Sequence, residues 1–256
     1  MSDNSYLDIQ AATRLPHAGF TLIELAVAIF IIALLLGSIL VPLATQVEQR
    51  QINATQKTMD DVRDALLGFA AANGYLPCPD LRVGGVPNDG IEDVSTAGGT
   101  AGRCTSISGS APDALSGGNV PWVTLGLAQQ DAWGNRYTYL VLETYARRSP
   151  ATSLANLATT GGLRVCTTAT CTSALTTTAV AILISHGTNG LSAINAATNV
   201  ANPIATTADE LENADNDGNA VSRTKSTVSG SEFDDIVVWL PKYILNNRLV
   251  AAGKLP

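Results

Sequence analysis

The longest apolar run of the chain lies close to its beginning. From Phe20 to Ala44 the run carries one charged residue, Glu24. A run of this length is typical of a helix that spans a membrane. The polar residues before it end at Gly19, so the natural cleavage point precedes the apolar run, whereas in a secretory signal it follows the run. The pattern therefore predicts a leader, residues 1–19, and a membrane-spanning helix, residues 20–44.

Residues 45–75 are predicted to continue this helix in amphipathic form. Apolar residues at spacings of three and four mark one face of it: Met59, Val62, Leu66 and Phe69. Asn73-Gly74 is a stop signal for a helix. We expect the apolar face to pack on a sheet.

Beyond residue 75 the apolar runs become short and are separated by Gly, Ser, Thr, Pro and Asp. Residues 76–118 have too few apolar positions for a packed element and are predicted to form a loop. Alternating or compact apolar runs predict strands at residues 136–145, 163–165, 179–185 and 233–240. A short apolar segment, residues 243–250, follows in the tail. The fold class predicted is α+β, with the long N-terminal helix packed on an antiparallel sheet in the head, residues 76–256.

The charge of the chain argues against nucleic acid as a partner. The 256 residues carry a formal net charge of −7. A general nucleic-acid binder needs a basic stripe that displaces counterions from phosphates. Arg147-Arg148 is the only adjacent basic pair, and a solvated surface explains it. No specific nucleic acid is therefore expected.

The sequence also lacks the patterns of common catalytic sites. It contains no G-x-S-x-G elbow, no phosphate-binding G-x-x-x-x-G-K-[ST] loop and no H-E-x-x-H. Ser185 and His186 are neighbours in sequence, which does not establish a nucleophile and its base. Asp234-Asp235 is predicted to be a turn at a strand edge. We therefore expect a structural protein and no enzyme.

Four cysteines lie beyond the apolar run: Cys78, Cys104, Cys166 and Cys171. If the head is exported, their even number predicts two disulfides. Proximity favours Cys78–Cys104 and Cys166–Cys171, although four cysteines allow three connectivities. Free thiols in a reducing compartment are the alternative. A zinc site is disfavoured because there is no C-x-x-C, and His186 is expected to be structural.

An acidic stretch after residue 209 has the spacing of a calcium loop. Asn213, Asp215 and Asp217 supply oxygens at alternate positions before a glycine that permits a sharp turn. Thr224 stands where such a loop has a bidentate glutamate, so Glu210, Glu212 or Asn189 would have to complete the set. The predicted calcium ligands are Asn189, Glu212, Asn213, Asp215 and Asp217. The alternative is a solvated acidic loop, because Asn, Asp and Gly are ordinary turn residues.

The junction between leader and apolar run carries a specific motif. Gly19-Phe20-Thr21-Leu22-Ile23-Glu24-Leu25, followed by an apolar helix with Pro42 near its far end, resembles the type IV pilin and type II secretion pseudopilin superfamily. The resemblance implies a pilin-like fold, cleavage between Gly19 and Phe20 by a prepilin peptidase, and methylation of the new amino terminus. It also implies that the N-terminal helices stack into a filament core.

Glu24 is the residue that this resemblance assigns to assembly. In a stacked bundle, the nearest cation for its carboxylate is the free α-amino group of Phe20 on a neighbouring subunit. A buried charge without its partner is costly, so this pair would select the correct register. The alternative is that Glu24 lies at the level of the lipid headgroups.

Two segments of the head resemble the major pseudopilin of type II secretion systems. Residues 131–137 resemble its D-P-W-G-N-P-Y turn. Residues 185–190 together with residues 212–215 resemble its S-L-G-A-D-G…E-N-A-D segment, with residues 191–209 as an insertion and Asn189 in place of an aspartate. That region binds calcium in the family, so the resemblance implies calcium as a cofactor.

The function implied is that of a structural subunit of a type II secretion pseudopilus. A minor pilin of a type IV pilus, used in adhesion, motility or DNA uptake, is the alternative. A membrane-anchored binding protein that never polymerises is the second alternative. The expected partners are other subunits, the prepilin peptidase, the membrane, and the inner-membrane assembly platform with its ATPase. The expected location is the bacterial inner membrane, with a single pass and the head in the periplasm, and then a periplasmic pseudopilus or a surface pilus.

Overall fold

The computed structural model describes residues 19–82, 87–96, 101–105, 115–148 and 162–255, without the side chains of residues 37–44. The predicted leader therefore lies outside the described residues except for Gly19. The chain divides into two units, Met1–Glu48 and Gln49–Pro256. The domain boundaries predicted after residues 44 and 75 stay predictions.

The first unit contains the beginning of helix α1, which extends from Leu22 to Asn73 and crosses the boundary between the units. Every side chain described at residues 19–36 is exposed. In the part of the chain that the structure describes, no helix is long and apolar enough to cross a membrane. The membrane-spanning role of residues 20–44 stays a prediction.

In the second unit, one stripe of α1 is buried: Thr55, Met59, Val62, Leu66 and Ala70. Its spacings of four and three are those of one helix face. The predicted core positions Met59, Val62 and Leu66 are confirmed. The predicted core position of Phe69 is wrong, because Ala70, one turn after Leu66, is the buried residue instead.

Phe69 instead lies at the margin of this face. Its ring is half-buried and meets Tyr75 edge to face, with ring centroids 6.0 Å apart. The helix ends at Asn73, as predicted, and Gly74 follows with φ at 89°. The Gly74 N–H donates to the Ala70 carbonyl at 2.7 Å, which closes the last turn.

Six strands of the head form one sheet. They are β1 (Leu115–Asn119), β2 (Thr138–Leu142), β3 (Leu163–Cys166), β4 (Ala174–Ser185), β5 (Asn219–Val221) and β6 (Ile236–Pro241). The order is β1-β2-β4-β3-β5, and β6 also pairs with β4. The shorter helices are α2 (Trp122–Leu125), α3 (Glu143–Ala146), α4 (Ala208–Glu212) and α5 (Lys242–Ala251).

The α+β class is confirmed, but the sheet is mixed. β1, β2, β3 and β6 pair in antiparallel orientation, whereas β5 runs parallel to β3. The prediction of an antiparallel sheet is therefore wrong at this edge. β4 runs opposite to β3, and the chain reverses again in the connection through α4, so that β5 runs in the same direction as β3.

The core combines the buried stripe of α1 with buried residues of the sheet, above all those of the central strand β4. Residues 179–185 of β4 are all buried, as the sequence predicts for a strand covered on both faces. The tail forms α5, whose buried residues Leu245 and Leu249 are one turn apart. β1 forms where the sequence predicts the end of a loop. Its glycines have no side chains, so neighbouring backbone can lie close to the strand. A Cβ on Gly118 would lie 2.3 Å from the Asp80 carbonyl oxygen.

The structure contains both disulfides that sequence proximity favours. Cys78 pairs with Cys104, and Cys166 pairs with Cys171. The first bond ties the segment that follows α1 to a distant loop. The second closes the turn between β3 and β4. Both cross-links restrict segments that have few apolar residues of their own.

Candidate functional site

The predicted processing point lies in an exposed segment ahead of α1. Phe20 is 88 % exposed, and a Cβ added to Gly19 would meet no atom within 4 Å. Both residues precede the first helical residue, Leu22. The peptide bond between them is therefore open to an enzyme that needs extended backbone.

Thr21 and Glu24 cap the beginning of this helix. The Thr21 N–H and hydroxyl donate to Oε2 of Glu24 at 2.9 and 2.8 Å, and the Glu24 N–H donates to Oγ1 of Thr21 at 3.3 Å. This reciprocal arrangement is a capping box. Glu24 therefore already has a local partner, and its pairing with a neighbouring subunit stays a prediction.

A cluster of three carboxylates occupies the head. Glu210 of α4 and the consecutive Asp234 and Asp235 before β6 bring carboxylate oxygens within 4.8 Å of one another. Glu210 and Asp235 are buried, and Asp234 is half-buried. Burial raises the pKa of Asp234 and of Asp235, and the charge of Glu210 adds to this effect in both. Both shifts favour the protonated, uncharged form of the two aspartates.

Two amide side chains orient these carboxylates. Asn189 donates through Nδ2 to Oε1 of Glu210 and through its backbone N–H to Oδ2 of Asp234, each at 2.9 Å. Asn213 donates to Oδ2 of Asp235 at 2.7 Å. Oδ1 of Asp234 is buried without a hydrogen-bond partner.

His186 lies against the same cluster and is completely buried. Its Nε2 is 2.8 Å from Oγ1 of Thr138, while its Nδ1 faces Oδ1 of Asp235 at 3.9 Å and has no hydrogen-bond partner. Burial, together with the nearby charge of Arg82, lowers the pKa of His186 to about 3. The imidazole is therefore neutral at physiological pH and does not neutralise the carboxylates.

The donor set suits a hard divalent cation. Carboxylate oxygens are the ligands that calcium and magnesium prefer. Two buried atoms next to the cluster have no hydrogen-bond partner, Oδ1 of Asp234 and Nδ1 of His186, while the charge of Lys225 acts on Asp234. A cleft of about 300 Å³, lined by Trp133, Asp234 and Asp235 among others, leads to the cluster. The three carboxylates are therefore candidate ligands for a calcium ion, in a cleft that Arg223 and Lys225 also line.

The five predicted ligands are divided between two places. Asn189 and Asn213 contact the carboxylate cluster through their amide nitrogens. Glu212, Asp215 and Asp217 lie in a separate acidic group, in which burial and the charges of the two aspartates raise the pKa of Glu212 to about 6. The oxygen of Asn213 accepts from the Val221 N–H at 2.7 Å, so it serves the fold. The predicted linear loop is thus not assembled as one site.

Sequence reasoning did not connect Asp234 and Asp235 with Glu210, which it named only as a residue that would complete the calcium ligands. The aspartate pair is predicted to be a turn at a strand edge; in the structure it directly precedes β6 but does not form a turn. Their meeting with Glu210 depends on the pairing of β6 with β4, in which Ser185 faces Ile236. One sequence signal was available, because Glu210 and Asn213 are three residues apart and so share one side of a helical turn.

The turn that resembles the pseudopilin motif is built around Asp131. Its Oδ1 accepts from the N–H groups of Trp133 and Asn135, each at 2.9 Å, and its Oδ2 accepts from the Ser185 hydroxyl at 2.7 Å. The Ala132 N–H donates to Oγ1 of Thr55 at 3.2 Å. This turn therefore joins α1 to the end of β4, next to His186.

Comparison with protein families gives one match. Residues 14–40 match the model described as the prokaryotic N-terminal methylation motif. Neither the curated proteins nor the solved structures compared with the chain include a significant match. The likeness of the head to the major pseudopilin stays a prediction. The motif match supports a prepilin-like protein of the type IV pilin and type II secretion pseudopilin superfamily, cleaved and methylated at its N-terminal segment.

Proposed function

We propose that this chain is a structural subunit of a type II secretion pseudopilus. The observation that carries the proposal is the exposed Gly19-Phe20 junction ahead of a capped apolar helix, inside the segment that matches the methylation motif. The head turn at residues 131–137, which resembles that of the major pseudopilin, favours a secretion pseudopilus over a pilus. The role is structural and involves no catalysis by the chain itself.

In this mechanism, cleavage prepares the amino terminus for assembly. Hydrolysis of the bond between Gly19 and Phe20 releases the leader and leaves a cationic α-amino group on Phe20, which methylation preserves as a cation. The exposed apolar side chains of residues 20–36 are held by the inner membrane and then by neighbouring subunits. Glu24 pairs with the Phe20 amine of a neighbour, and an ATPase at the assembly platform drives extraction.

Mass spectrometry of the mature amino terminus tests this function. The chain is isolated from sheared surface filaments and from membranes, and its first residue is read in both. An N-methylated Phe20 confined to membranes is the expected result for a periplasmic pseudopilus. The same terminus in the sheared fraction would contradict the pseudopilus and establish a surface pilus. An intact Met1 in both fractions would contradict processing itself.

A minor pilin is the second candidate function, and the inserted residues 191–209 favour it. The insertion packs beside the Asp131 turn, where Asn202 donates to Oδ1 of Asn135 at 2.9 Å and Arg136 donates to Asn199. An added surface of this kind suits adhesion more than repetitive stacking. Recovery from the sheared fraction distinguishes the two functions.

The head of this subunit is further proposed to hold calcium at the carboxylate cluster. Glu210, Asp234 and Asp235 are the residues that would bind it. When bound, the ion would add positive charge between the three carboxylates and would link α4 to the segment before β6. The expected outcome is a head that gains stability when calcium is present.

Calorimetric titration with calcium chloride tests the cation site. The full chain is purified in mild detergent and stripped with a chelator, and the wild type is expected to bind one ion. Asp235→Asn is expected to abolish binding, because it removes a charge from the buried cluster. Asp217→Asn is the matched control in the separate acidic group and is expected to bind normally. Equal binding by both variants, or no binding by the wild type, would contradict the site.

A further inference from the structure

Strand β6 has apolar side chains that the fold covers only in part. Residues 236–240 are all apolar, and such a run is typical of a strand covered on both faces. Residues 236–239 are nevertheless only half-buried, whereas Leu240 is buried. Among the strands that the structure describes, β6 pairs with β4 and with no other. Its outer edge and its apolar side chains are therefore open to a partner.

A groove of about 490 Å³ lies beside this strand. Its lining is mostly apolar and includes Leu67 of α1, Trp239 of β6 and Ile244 of α5. Two charged residues of opposite sign, Arg63 and Asp64, also line it. The groove therefore suits the apolar side chains of an uncharged segment.

The insertion, residues 191–209, presents apolar side chains at a second place on the head. It carries no charged residue before its last position. Val200 and Ile204 are 62 % and 73 % exposed. The segment between them is held by a backbone hydrogen bond, in which the Ser192 N–H donates to the Pro203 carbonyl at 2.8 Å. An exposed apolar surface without charges is typical of a site of protein–protein contact.

The insertion and the groove lie at different heights along α1. The insertion packs beside the turn at residues 131–137, which contacts α1 at Thr55. The groove contacts α1 as far as Leu67, about 18 Å farther along the helix at 1.5 Å per residue. No residue of the insertion lines the groove of its own chain. The two surfaces can therefore meet only between copies, and such a heterologous contact can repeat along an open filament.

Charge favours a second copy of this chain as the occupant of the groove. With a formal net charge of −7, two copies repel each other through most of their surfaces. The exposed part of the insertion adds no charge, and the groove offers one residue of each sign, so neither surface opposes the approach. A basic partner protein would instead be attracted to the acidic group of Glu212, Asp215 and Asp217.

We propose that Val200 and Ile204 of one copy insert into the groove of the next copy. There they contact Leu67, Trp239 and Ile244. The inference rests on the proposed role of this chain as an assembling subunit. Two aliphatic side chains in one groove form too small an interface to join separate heads. The contact forms once the N-terminal helices have brought the copies together and raised their effective concentration, and it then fixes the spacing of the heads.

Cross-linking of introduced cysteines tests this contact in the full chain. The four natural cysteines form two disulfides, so a bismaleimide reacts with the introduced cysteines alone. Each copy of the double variant Ile204→Cys/Ile244→Cys offers both partners, so assembled chains are expected to give a ladder of multimers. Each single variant is expected to remain monomeric. Leu175→Cys/Ile244→Cys is the matched control, because Leu175 is 50 % exposed at the end of β4 away from the insertion.

The cross-linked products distinguish this contact from its alternatives. Dimers from Ile204→Cys alone would mean a symmetric contact between two insertions and would overturn the proposal. A product that joins Ile244→Cys to a different protein would overturn it as well, because that protein would then occupy the groove. Absence of a ladder in assembled chains that begin at Phe20 would overturn this inference alone. An intact Met1 in chains that do not assemble would overturn the proposed function on which it rests.

A charge placed on the insertion gives a second measurement. Ile204→Asp is expected to lower incorporation of the full chain into filaments about tenfold, because an unpaired carboxylate is costly in an apolar groove. Ile204→Leu keeps the apolar contact and is expected to incorporate as the wild type does. Since Ile204 is exposed, both variants are expected to fold normally, which thermal unfolding checks. Equal incorporation of the two variants would overturn the proposal.

Discussion

The N-terminal segment and the carboxylate cluster organise their functional groups in opposite ways. In the first, Gly19, Phe20 and Glu24 lie within six consecutive residues, and Thr21 caps the helix next to them. In the second, Glu210, Asp234 and Asp235 come from two distant segments and are oriented by Asn189 and Asn213. The first arrangement exists in the chain before folding, whereas the second exists only after it.

This difference affects how each region is recognised. A peptidase acts on an extended segment, so the information it needs is local. A cation needs several oxygens within a few ångströms, and here the pairing of β4 with β6 supplies that proximity. A local motif is therefore visible in the sequence, whereas an assembled site is visible only through the sheet register.

The largest effect is expected at Glu24. Glu24→Ala should leave cleavage after Gly19 intact and reduce incorporation into filaments at least tenfold. The physical reason is that the Phe20 amine of a neighbour would lose its partner inside an apolar core, and leaving a buried charge unpaired costs about 3–5 kcal/mol. Incorporation is measured by immunoblot of assembled and membrane fractions. Unchanged incorporation would exclude the pairing role and favour an anchored protein that never polymerises.

Glu24→Gln sharpens this test. Glutamine keeps a side-chain oxygen for the capping box with Thr21 but carries no charge. We expect it to fail in incorporation as the alanine variant does. Normal incorporation of the glutamine variant would mean that local capping, and not pairing between subunits, is the function of Glu24.

The next effect is expected at Asn213, which the sequence predicts to be a ligand. Its buried side-chain amide forms hydrogen bonds with Val221 and Asp235. Asn213→Ala should therefore lower the free energy of unfolding by about 2–4 kcal/mol, with or without calcium. Asp215 is exposed, so Asp215→Ala should change the free energy of unfolding by less than about 0.5 kcal/mol. Urea unfolding followed by tryptophan fluorescence measures both. Loss of stability in Asp215→Ala that requires calcium would restore the linear loop as the site.

Glu210 and Glu212 provide a matched pair two residues apart. Calcium at one hundred times its dissociation constant should stabilise the wild type by about 2.7 kcal/mol. Glu210→Gln should lose this gain because Glu210 belongs to the carboxylate cluster, whereas Glu212→Gln should keep it. Thermal unfolding of the full chain with calcium and with chelator gives the comparison. Equal losses of calcium stabilisation in the two variants would mean that the carboxylate cluster and the separate acidic group act as one site.

The smallest effect concerns Asp80, another carboxyl that only the fold buries. Its pKa is raised to about 6 by burial, and the charges of Asp89 and Asp93 add to this. Between about pH 4 and 6 the Asp80 carboxyl keeps its proton in the folded state but loses it in the unfolded state. The free energy of unfolding of the wild type should therefore fall as the pH rises through this range. Asp80→Asn should remove this fall and be more stable above pH 6, on the order of 2 kcal/mol. Parallel pH profiles of urea unfolding would contradict the prediction.

The periodic parts of the chain were predictable. The stripe of Met59, Val62 and Leu66, the end of α1 at Asn73 and the buried strand β4 follow from apolar spacing and a stop signal. β1 was not predictable, because a segment with Gly117 and Gly118 has low strand propensity. It forms because those glycines let neighbouring backbone and side chains come close.

The separation of the predicted calcium ligands into two places has a similar cause. Alternation of Asn213, Asp215 and Asp217 is a local pattern, and it predicts a local loop. In the fold, the Asn213 side chain turns inward to Val221 and Asp235, while Asp215 and Asp217 accept bonds from their own turn. Because Asn213 is buried, its hydrogen bonds to distant residues determine where its side chain points, and the local sequence pattern does not.

The sequence by itself determined the properties that depend on neighbouring residues: the methylation motif with its predicted cleavage junction, the apolar helix, the capping box and the cysteine pairs that lie close along the chain. The tertiary structure alone decided the parallel edge strand, the meeting of Glu210 with Asp234 and Asp235, and the contact of His186 with Thr138. The physical reason is range. Helix periodicity and capping act within four residues, whereas sheet register and burial depend on segments that only folding brings together.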